Sequence, residues 1–117
     1  MKYFVVTLAL LLAAPAFAQE PRKIGPDVNS PKLVEKSEPA YTQEARDARL
    51  EGSVTIALTI DTNGRTKDIT VIKALGLGLD EKAMEAAAAW KFEPATLKKD
   101  NTPVAVKANV EVNFRLL

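Results

Sequence analysis

The sequence predicts an α+β fold in which two helices pack on one face of a three-stranded antiparallel sheet, in the order helix, strand, strand, helix, strand. Two stretches, residues 53–61 and 104–116, alternate strictly between apolar and mostly polar side chains, which indicates strands that are buried on one face. A third stretch, residues 79–90, carries apolar side chains at helical spacing. A right-handed crossover through this helix places the first strand in the centre of the sheet and the last strand at an edge.

The first 18 residues have the features of a secretory signal peptide. Lys2 forms a minimal basic region, residues 3–14 are apolar, and residues 16–18 read Ala-Phe-Ala, a typical cleavage signal. The apolar run is short for a membrane span, which needs about 20 residues. We therefore expect cleavage after Ala18 and export of the mature chain. The alternative is an uncleaved segment that anchors the protein in a membrane.

The next part of the chain divides into an arm and a domain. Residues 19–31 contain prolines and no apolar period, which predicts a disordered arm. Residues 32–117 form the predicted domain, which begins with a short extended piece at residues 32–36. Thr42 is placed to cap a short helix that runs through Leu50 and ends at Gly52.

A hairpin and the longer helix follow. Asp61-Thr62-Asn63-Gly64 predicts the turn, since Asn and Gly tolerate positive φ, and the return strand runs from about Thr66 to Ala74. The longer helix starts near Leu79 with Asp80 as its expected N-cap, and Pro94 prevents it from extending far past Phe92. The apolar faces of these elements predict the following core residues: Tyr41, Val54, Ile56, Leu58, Leu79, Ala83, Trp90, Phe92 and Phe114.

Composition excludes several classes of function. The chain has 16 Lys and Arg against 15 Asp and Glu, and without Lys2 the two numbers are equal, so nucleic acid is not an expected partner. Because the chain contains neither cysteine nor histidine, it has no disulfide, no thiolate nucleophile and no zinc site of the usual ligands. No spacing of carboxylates or lysines suggests a catalytic site. We expect no enzyme activity, no metal, no cofactor and no small-molecule substrate.

The last strand is the predicted functional element. It is about 13 residues long and lies at an edge, where unpaired main-chain groups invite pairing with another chain. One interpretation is that the outward charges of Lys107, Glu111 and Arg115 suffice to prevent such pairing. The other is that the edge accepts an extended peptide as a further strand, with main-chain hydrogen bonds supplying the affinity.

Several short motifs, taken in order, resemble the TonB C-terminal domain family over about residues 32–117. They are Pro39-Ala40-Tyr41 followed by Ala45, Arg49-Leu50-Glu51-Gly52-Ser53-Val54, Asp61-Thr62-Asn63-Gly64-Arg65, Leu79-Asp80 with Ala83, and Trp90-Lys91-Phe92-Glu93-Pro94-Ala95. The resemblance implies the same two-helix, three-stranded fold. It also implies a role in TonB-dependent transport across the outer membrane.

The resemblance further implies a binding site for an extended segment of an outer-membrane transporter, the TonB box, which pairs with the last strand by strand addition. Glu38, which precedes the Pro-x-Tyr motif, corresponds to a residue that contacts this segment in the family. The residues implied in partner binding are Glu38, Val104, Val106, Lys107, Ala108, Asn109, Val110, Glu111, Val112 and Asn113. Another periplasmic protein is an alternative partner, and a homodimer formed through the same edge is an alternative function.

The sequence departs from the family in three places. Thr42 stands where a second proline usually follows the tyrosine, and residues 74–76 read Ala-Leu-Gly where Ser-Ser-Gly is usual. Members that transmit energy have a membrane anchor with a functional histidine and a long proline-rich linker. This chain has no histidine, and residues 19–30 of its arm span at most about 40 Å at 3.3–3.6 Å per residue. The resemblance thus implies the binding domain without the usual coupling to an inner-membrane motor.

Overall fold

The structure is a computed structural model that describes residues 20–117, so the predicted signal peptide lies outside the described residues. No helix in this part of the chain is long and apolar enough to cross a membrane. The elements, in chain order, are β1 (Arg22–Lys23), β2 (Val28–Asn29), β3 (Lys32–Glu35), α1 (Gln43–Asp47), β4 (Gly52–Ile60), β5 (Thr66–Lys73), α2 (Leu79–Ala88), β6 (Lys91–Glu93), β7 (Ala95–Leu97), β8 (Pro103–Val104) and β9 (Val106–Phe114).

The main sheet has the strand order β1-β9-β4-β5. As the crossover rule predicts, β4 lies in the centre and is antiparallel to both β5 and β9. The prediction of three strands is wrong, because β1 pairs in parallel with the outer edge of β9 and adds a fourth. The physical reason is that an open edge presents unpaired main-chain groups, and a segment of the chain's own arm reaches them. Two smaller sheets, β2-β7-β8 and β3-β6, accompany the main one.

The arm differs from the disorder that its composition predicts. From residue 20 onward it contributes β1 to β9 and β2 to β7. The side chain of Val28 explains the anchorage, because it is only 4% exposed and belongs to the hydrophobic core. One fully buried apolar side chain and a few main-chain hydrogen bonds thus hold the arm to the domain. The extended piece predicted at residues 32–36 is found as β3, which pairs with β6.

The hairpin between β4 and β5 is closed by the predicted turn. One carboxylate oxygen of Asp61 accepts hydrogen bonds from the main-chain N–H groups of Asn63 (2.8 Å) and Arg65 (2.9 Å). Gly64 adopts a φ of 82°, and an added Cβ there would lie 1.8 Å from the carbonyl oxygen of Phe92. Gly64 also accepts a hydrogen bond from the N–H of Phe92 at 2.9 Å, so the turn connects directly to β6.

Helix α1 is capped at both ends by specific contacts. The hydroxyl oxygen of Thr42 accepts a hydrogen bond from the N–H of Ala45 at 3.1 Å, as predicted. The helix ends at Asp47 rather than Leu50, and Arg49, not Gly52, takes the left-handed conformation with a φ of 54°. The N–H groups of Arg49 and Leu50 donate back to the carbonyls of Arg46 and Ala45, both at 3.0 Å, which is a Schellman motif.

Helix α2 begins at the predicted residue but not with the predicted cap. Gly78, with a φ of 80°, precedes it, and the Asp80 carboxylate instead accepts hydrogen bonds from the N–H groups of Leu75 (2.7 Å) and Gly76 (3.4 Å). The helix ends at Ala88, a turn earlier than the proline rule requires. The chain then becomes β6, since the N–H of Phe92 pairs with the hairpin turn instead of continuing the helix.

The core lies between the helices and one face of the main sheet. Of the residues expected there, Tyr41 and Phe92 are half-buried and pack against the core. The others are less than 5% exposed: Val54, Ile56, Leu58, Leu79, Ala83, Trp90 and Phe114. The indole N–H of Trp90 donates to the carbonyl of Ser37 at 2.9 Å, which fixes the segment before α1 to the end of α2.

The predicted last strand is divided in two. Pro103–Val104 (β8) pairs with β7, and β9 then runs from Val106 to Phe114, so Leu116 lies beyond it. Ala105 is the point at which the chain passes from the small sheet to the main sheet. The alternation of burial along the strand is nevertheless as predicted, with the side chains of Val106, Val112 and Phe114 at most 1% exposed.

Candidate functional site

Two hydrogen bonds determine which main-chain groups of β9 face its outer edge. The N–H of Asp61, just after β4, donates to the carbonyl of Arg65 on the β5 side. The main-chain groups of Ile60, and of every second residue before it in β4, therefore point toward β9. At the other side, the carbonyl of Ala105 accepts from the N–H of Arg22 at 3.0 Å. Since main-chain groups alternate along an antiparallel strand, the outward-facing residues of β9 are Lys107, Asn109, Glu111 and Asn113.

Strand β1 covers the beginning of this edge. Arg22 is in register with Val106 and Lys23 with Lys107, which occupies the outward groups of Lys107. Between Asn109 and Asn113 no described strand pairs with the outer edge. We call residues 109–113 the open edge. It presents three donors and three acceptors, one of each from residues 109, 111 and 113.

The two faces of the open edge differ in character. On the face toward the helices, Ala108 and Val110 are half-buried and pack against the core, whereas Val106 and Val112 are fully buried. A strand added here would extend the apolar layer with side chains placed beside Ala108 and Val110. On the opposite face, Asn109 and Glu111 are exposed, and the side-chain oxygen of Asn113 accepts a hydrogen bond from the Ser53 hydroxyl at 2.6 Å.

A groove of about 370 Å³ continues the open edge at its C-terminal end. Its lining includes Glu38 and Pro39 from the segment before α1, Asn113 from the end of β9 and Arg115 just after it. The structure therefore brings Glu38 next to the strand, although 75 residues separate it from Asn113 in the sequence. Val104, by contrast, lies in β8, is 4% exposed and pairs with Ala95, so it is not part of this edge.

The segment around Glu38 is held in place from both sides. On one side, the carbonyl of Ser37 accepts the Trp90 indole N–H. On the other, the hydroxyl of Tyr41 donates to the carbonyl of Leu50 at 2.6 Å, and its ring meets the Phe114 ring edge-to-face at a centroid distance of 5.5 Å. Glu38 is thus presented from a fixed backbone rather than from a free loop.

Tyr41 also has a perturbed ionisation. Burial raises the pKa of its phenol, and the carboxylate of Glu51 adds to the effect, whereas the guanidinium of Arg46 opposes it. The Arg46 guanidinium carbon lies 5.4 Å from the centre of the Tyr41 ring, which is a cation–π contact. The phenol is therefore a neutral hydrogen-bond donor at physiological pH.

A second groove, of about 600 Å³, opens on the other side of Tyr41 and carries Arg46, Arg49 and Arg115. None of these guanidinium groups forms an ion pair within residues 20–117, where the ion pair observed is Lys82–Glu85. The C-terminal end of the open edge is therefore bordered by charged side chains of both signs, with Asp47 in the same groove as the three arginines and Glu38 on the strand side.

Sequence reasoning missed two features of the site. It did not predict that the arm would occupy the edge at Lys107, because a two-residue strand has no period to detect. It also did not group the three arginines, which lie on α1, in the loop after it and just after β9. Among the described residues, no cluster of His, Cys, Asp or Glu is arranged to hold a metal ion. What the site offers is main-chain hydrogen bonding with a charged border.

Comparisons with known protein families, sequences and structures all identify the same family. Residues 37–116 match the family described as the Gram-negative bacterial TonB protein C-terminal. The chain is 33% identical over 91 residues to protein TonB of Vibrio cholerae, covering 76% of this chain and 36% of that protein. It is 34% identical over 79 residues to protein TonB of Xanthomonas campestris, covering 67% of this chain and 34% of that protein.

A solved structure is also similar. The solution NMR structure of the Pseudomonas aeruginosa TonB C-terminal domain superposes with a TM-score of 0.59 at 28% identity, covering 79% of this chain and 89% of that chain. The full-length relatives are much longer, since this chain spans about a third of the length of those named above.

Proposed function

This chain belongs to the Gram-negative bacterial TonB C-terminal domain family, and from that membership we propose that it is a periplasmic, non-enzymatic binding module. Its ligand is an extended segment of an outer-membrane transporter, which adds as a strand to the open edge of β9. In this role it takes part in TonB-dependent transport across the outer membrane. Export through a cleaved signal peptide places it in the periplasm.

The observation that supports this proposal is the stretch of main chain at residues 109–113, whose outer edge pairs with no strand among residues 20–117, directly beside the groove that contains Glu38. Strand addition uses main-chain hydrogen bonds for affinity and side-chain sites on alternate positions for selection. Both are available here, since Ala108 and Val110 offer an apolar face and Glu38 and Arg115 border one end.

The expected affinity is modest. A hydrogen bond contributes a net of about 0.5–1.5 kcal/mol, and the open edge offers three donors and three acceptors. Association and the ordering of a flexible segment cost at least about 4 kcal/mol, which offsets most of this gain. We therefore expect a weak and readily reversible complex, suited to repeated engagement with a transporter and to observation by NMR.

The test compares two variants at one position. Glu111→Pro removes an outward N–H without touching the ladder to β4, because proline is tolerated where the N–H faces outward at an edge. Glu111→Gln removes the same charge and keeps the N–H. Amide shifts are followed by NMR during titration with a synthetic peptide from the periplasm-facing segment of an outer-membrane TonB-dependent transporter of the same organism.

We expect the wild type and Glu111→Gln to show peptide-induced shifts at residues 109–113, and Glu111→Pro to lose them while its remaining spectrum stays folded. If Glu111→Pro binds as well as Glu111→Gln, strand addition at this edge is wrong. Shifts confined to other surfaces would contradict the proposed site as well.

A homodimer through the same edge is the second candidate, since the open edge can equally pair with its copy. An antiparallel pairing of two copies centred on Glu111 is disfavoured, because it would set Lys107 of one copy opposite Arg115 of the other, and like charges directly opposite are destabilising. Sedimentation velocity at high protein concentration distinguishes the two functions, because a persistent monomer eliminates the dimer. Mass spectrometry of the mature N-terminus tests the remaining alternative, an anchored energy transducer that retains residues 1–18.

A further inference from the structure

The arm is attached to the domain at one strong point and one weak point. The strong point is Val28, whose side chain is buried in the core and whose strand β2 pairs with β7. Beside it, the N–H of Lys98 donates to the carbonyl of Asp27 at 2.9 Å. A turn closed by a hydrogen bond of 3.1 Å from the N–H of Val28 to the carbonyl of Gly25 then directs the preceding residues toward β9.

The weak point is β1 itself. It consists of two residues whose side chains, Arg22 and Lys23, are exposed, and the neighbouring Ile24 is still 40% exposed, so no fully buried side chain holds it against β9. Its attachment rests on main-chain hydrogen bonds, including the one from the Arg22 N–H to Ala105. Because Val28 keeps its own contacts, β1 can leave the edge without disturbing the rest of the domain.

The position of β1 is the same edge that a partner strand needs. In its parallel register with Val106 and Lys107, β1 satisfies the outward groups of Ala105 and Lys107. A partner strand paired with residues 109–113 meets β1 end-on as soon as it extends toward Lys107. A segment of the same chain is always at high effective concentration, so even a weak strand competes with a ligand from solution.

We propose that β1 is an internal competitor for the partner-binding edge. It confines the partner strand to residues 109–113, and a longer extended segment binds beyond them only by displacing it. This inference rests on the proposed function, because it assumes that an extended segment adds to β9. It goes further by assigning the arm a role in setting the length and register of the bound segment.

The test uses two neighbouring proline substitutions in the full chain. Arg22→Pro removes the N–H that donates to Ala105 and weakens β1, whereas the N–H of Lys23 points away from β9, so Lys23→Pro is a matched control that loses the same charge. The first measurement needs no ligand. We expect amide hydrogen exchange at Lys107 to become faster by about fivefold in Arg22→Pro, as the loss of one hydrogen bond of about 1 kcal/mol implies, and to stay unchanged in Lys23→Pro.

The second measurement uses transporter-segment peptides of about five and about nine residues, the longer spanning roughly 30 Å at 3.3 Å per residue. For the longer peptide, we expect Arg22→Pro to lower Kd by about fivefold, which corresponds to one hydrogen bond of about 1 kcal/mol that no longer has to be displaced. For the shorter peptide, Kd should be the same in the wild type and in both variants.

The outcomes separate the two proposals. If Arg22→Pro and Lys23→Pro give the same Lys107 exchange and the same Kd for the longer peptide, β1 is not a competitor and the inference is overturned. If no peptide shifts the amides of residues 109–113 in any form of the protein, the proposed function fails and the competition fails with it. The exchange at Lys107, measured without peptide, still reports whether β1 occupies the edge, so the two failures are distinguishable.

Discussion

Replacement of Trp90 is the strongest test of how the fold supports the site. The side chain is 4% exposed, packs in the core beneath the sheet, and donates its indole N–H to the carbonyl of Ser37 at 2.9 Å. Truncation of a buried Trp to Ala costs about 3–5 kcal/mol. The total free energy of unfolding of a domain of this size is about 5–15 kcal/mol, so Trp90→Ala should leave a marginally stable protein.

Two further variants separate the contribution of core packing from those of the indole hydrogen bond and of the contact with Lys36. Trp90→Phe keeps most of the packing and loses the N–H, so we expect a cost of about 1–2 kcal/mol, mainly from one lost hydrogen bond and a smaller ring. Lys36→Ala is the surface control, because its ammonium group lies 5.9 Å above the Trp90 ring and contributes at most about 1 kcal/mol. Free energies of unfolding come from urea titrations followed by far-UV circular dichroism.

The expected order of cost is Trp90→Ala, then Trp90→Phe, then Lys36→Ala. A cost below about 1 kcal/mol for Trp90→Ala would refute the assignment of Trp90 as a core anchor. Equal costs for Trp90→Ala and Trp90→Phe would instead attribute the whole effect to the Ser37 contact. Because Ser37 precedes Glu38, we also expect Trp90→Phe to reduce peptide-induced shifts in the groove at Glu38.

Three further predictions concern the turn, the cap and the phenol. Gly64→Ala should cost about 2 kcal/mol more than Gly76→Ala in urea unfolding, since both have positive φ but only the first would clash with the Phe92 carbonyl. Thr42→Ala should cost about 1–2 kcal/mol in the same assay, because it loses the cap of α1 and a 2.6 Å hydrogen bond to Leu77. The raised pKa of Tyr41 means that the folded state favours the neutral phenol, so stability falls as pH rises above about 10, and Tyr41→Phe should remove that part of the slope in alkaline urea titrations.

Elements with a strong local period could be predicted closely. The strict alternation in β4 and β9 correctly assigned their buried faces, and the Asp61–Gly64 turn identified the hairpin. The helix boundaries were less accurate, since Asp80 was expected to cap α2 and instead binds the N–H groups of the preceding loop. Capping depends on the conformation of several neighbouring residues, which composition alone does not determine.

The site was predicted in part. The outward position of Asn109, Glu111 and Asn113 follows from the register of β9 on β4, and the resemblance to a known family supplied Glu38. Nothing local in the sequence assigns Val104 to a separate small sheet, because its alternation continues without interruption into Val106. Val104 and Val106 belong to different sheets because β8 pairs with β7 whereas β9 pairs with β4, and these partner strands lie elsewhere in the chain.

The sequence by itself determined the faces of the long strands, the family and the class of fold, because side-chain periodicity is a local property that packing merely has to respect. The tertiary structure alone decided how much of the edge remains open. Arg22 meets Val106 through main-chain hydrogen bonds, and every residue carries nearly the same main-chain groups. Such contacts do not depend on residue type, so the pairing of β1 with the edge of β9 can be recognised only in the folded structure.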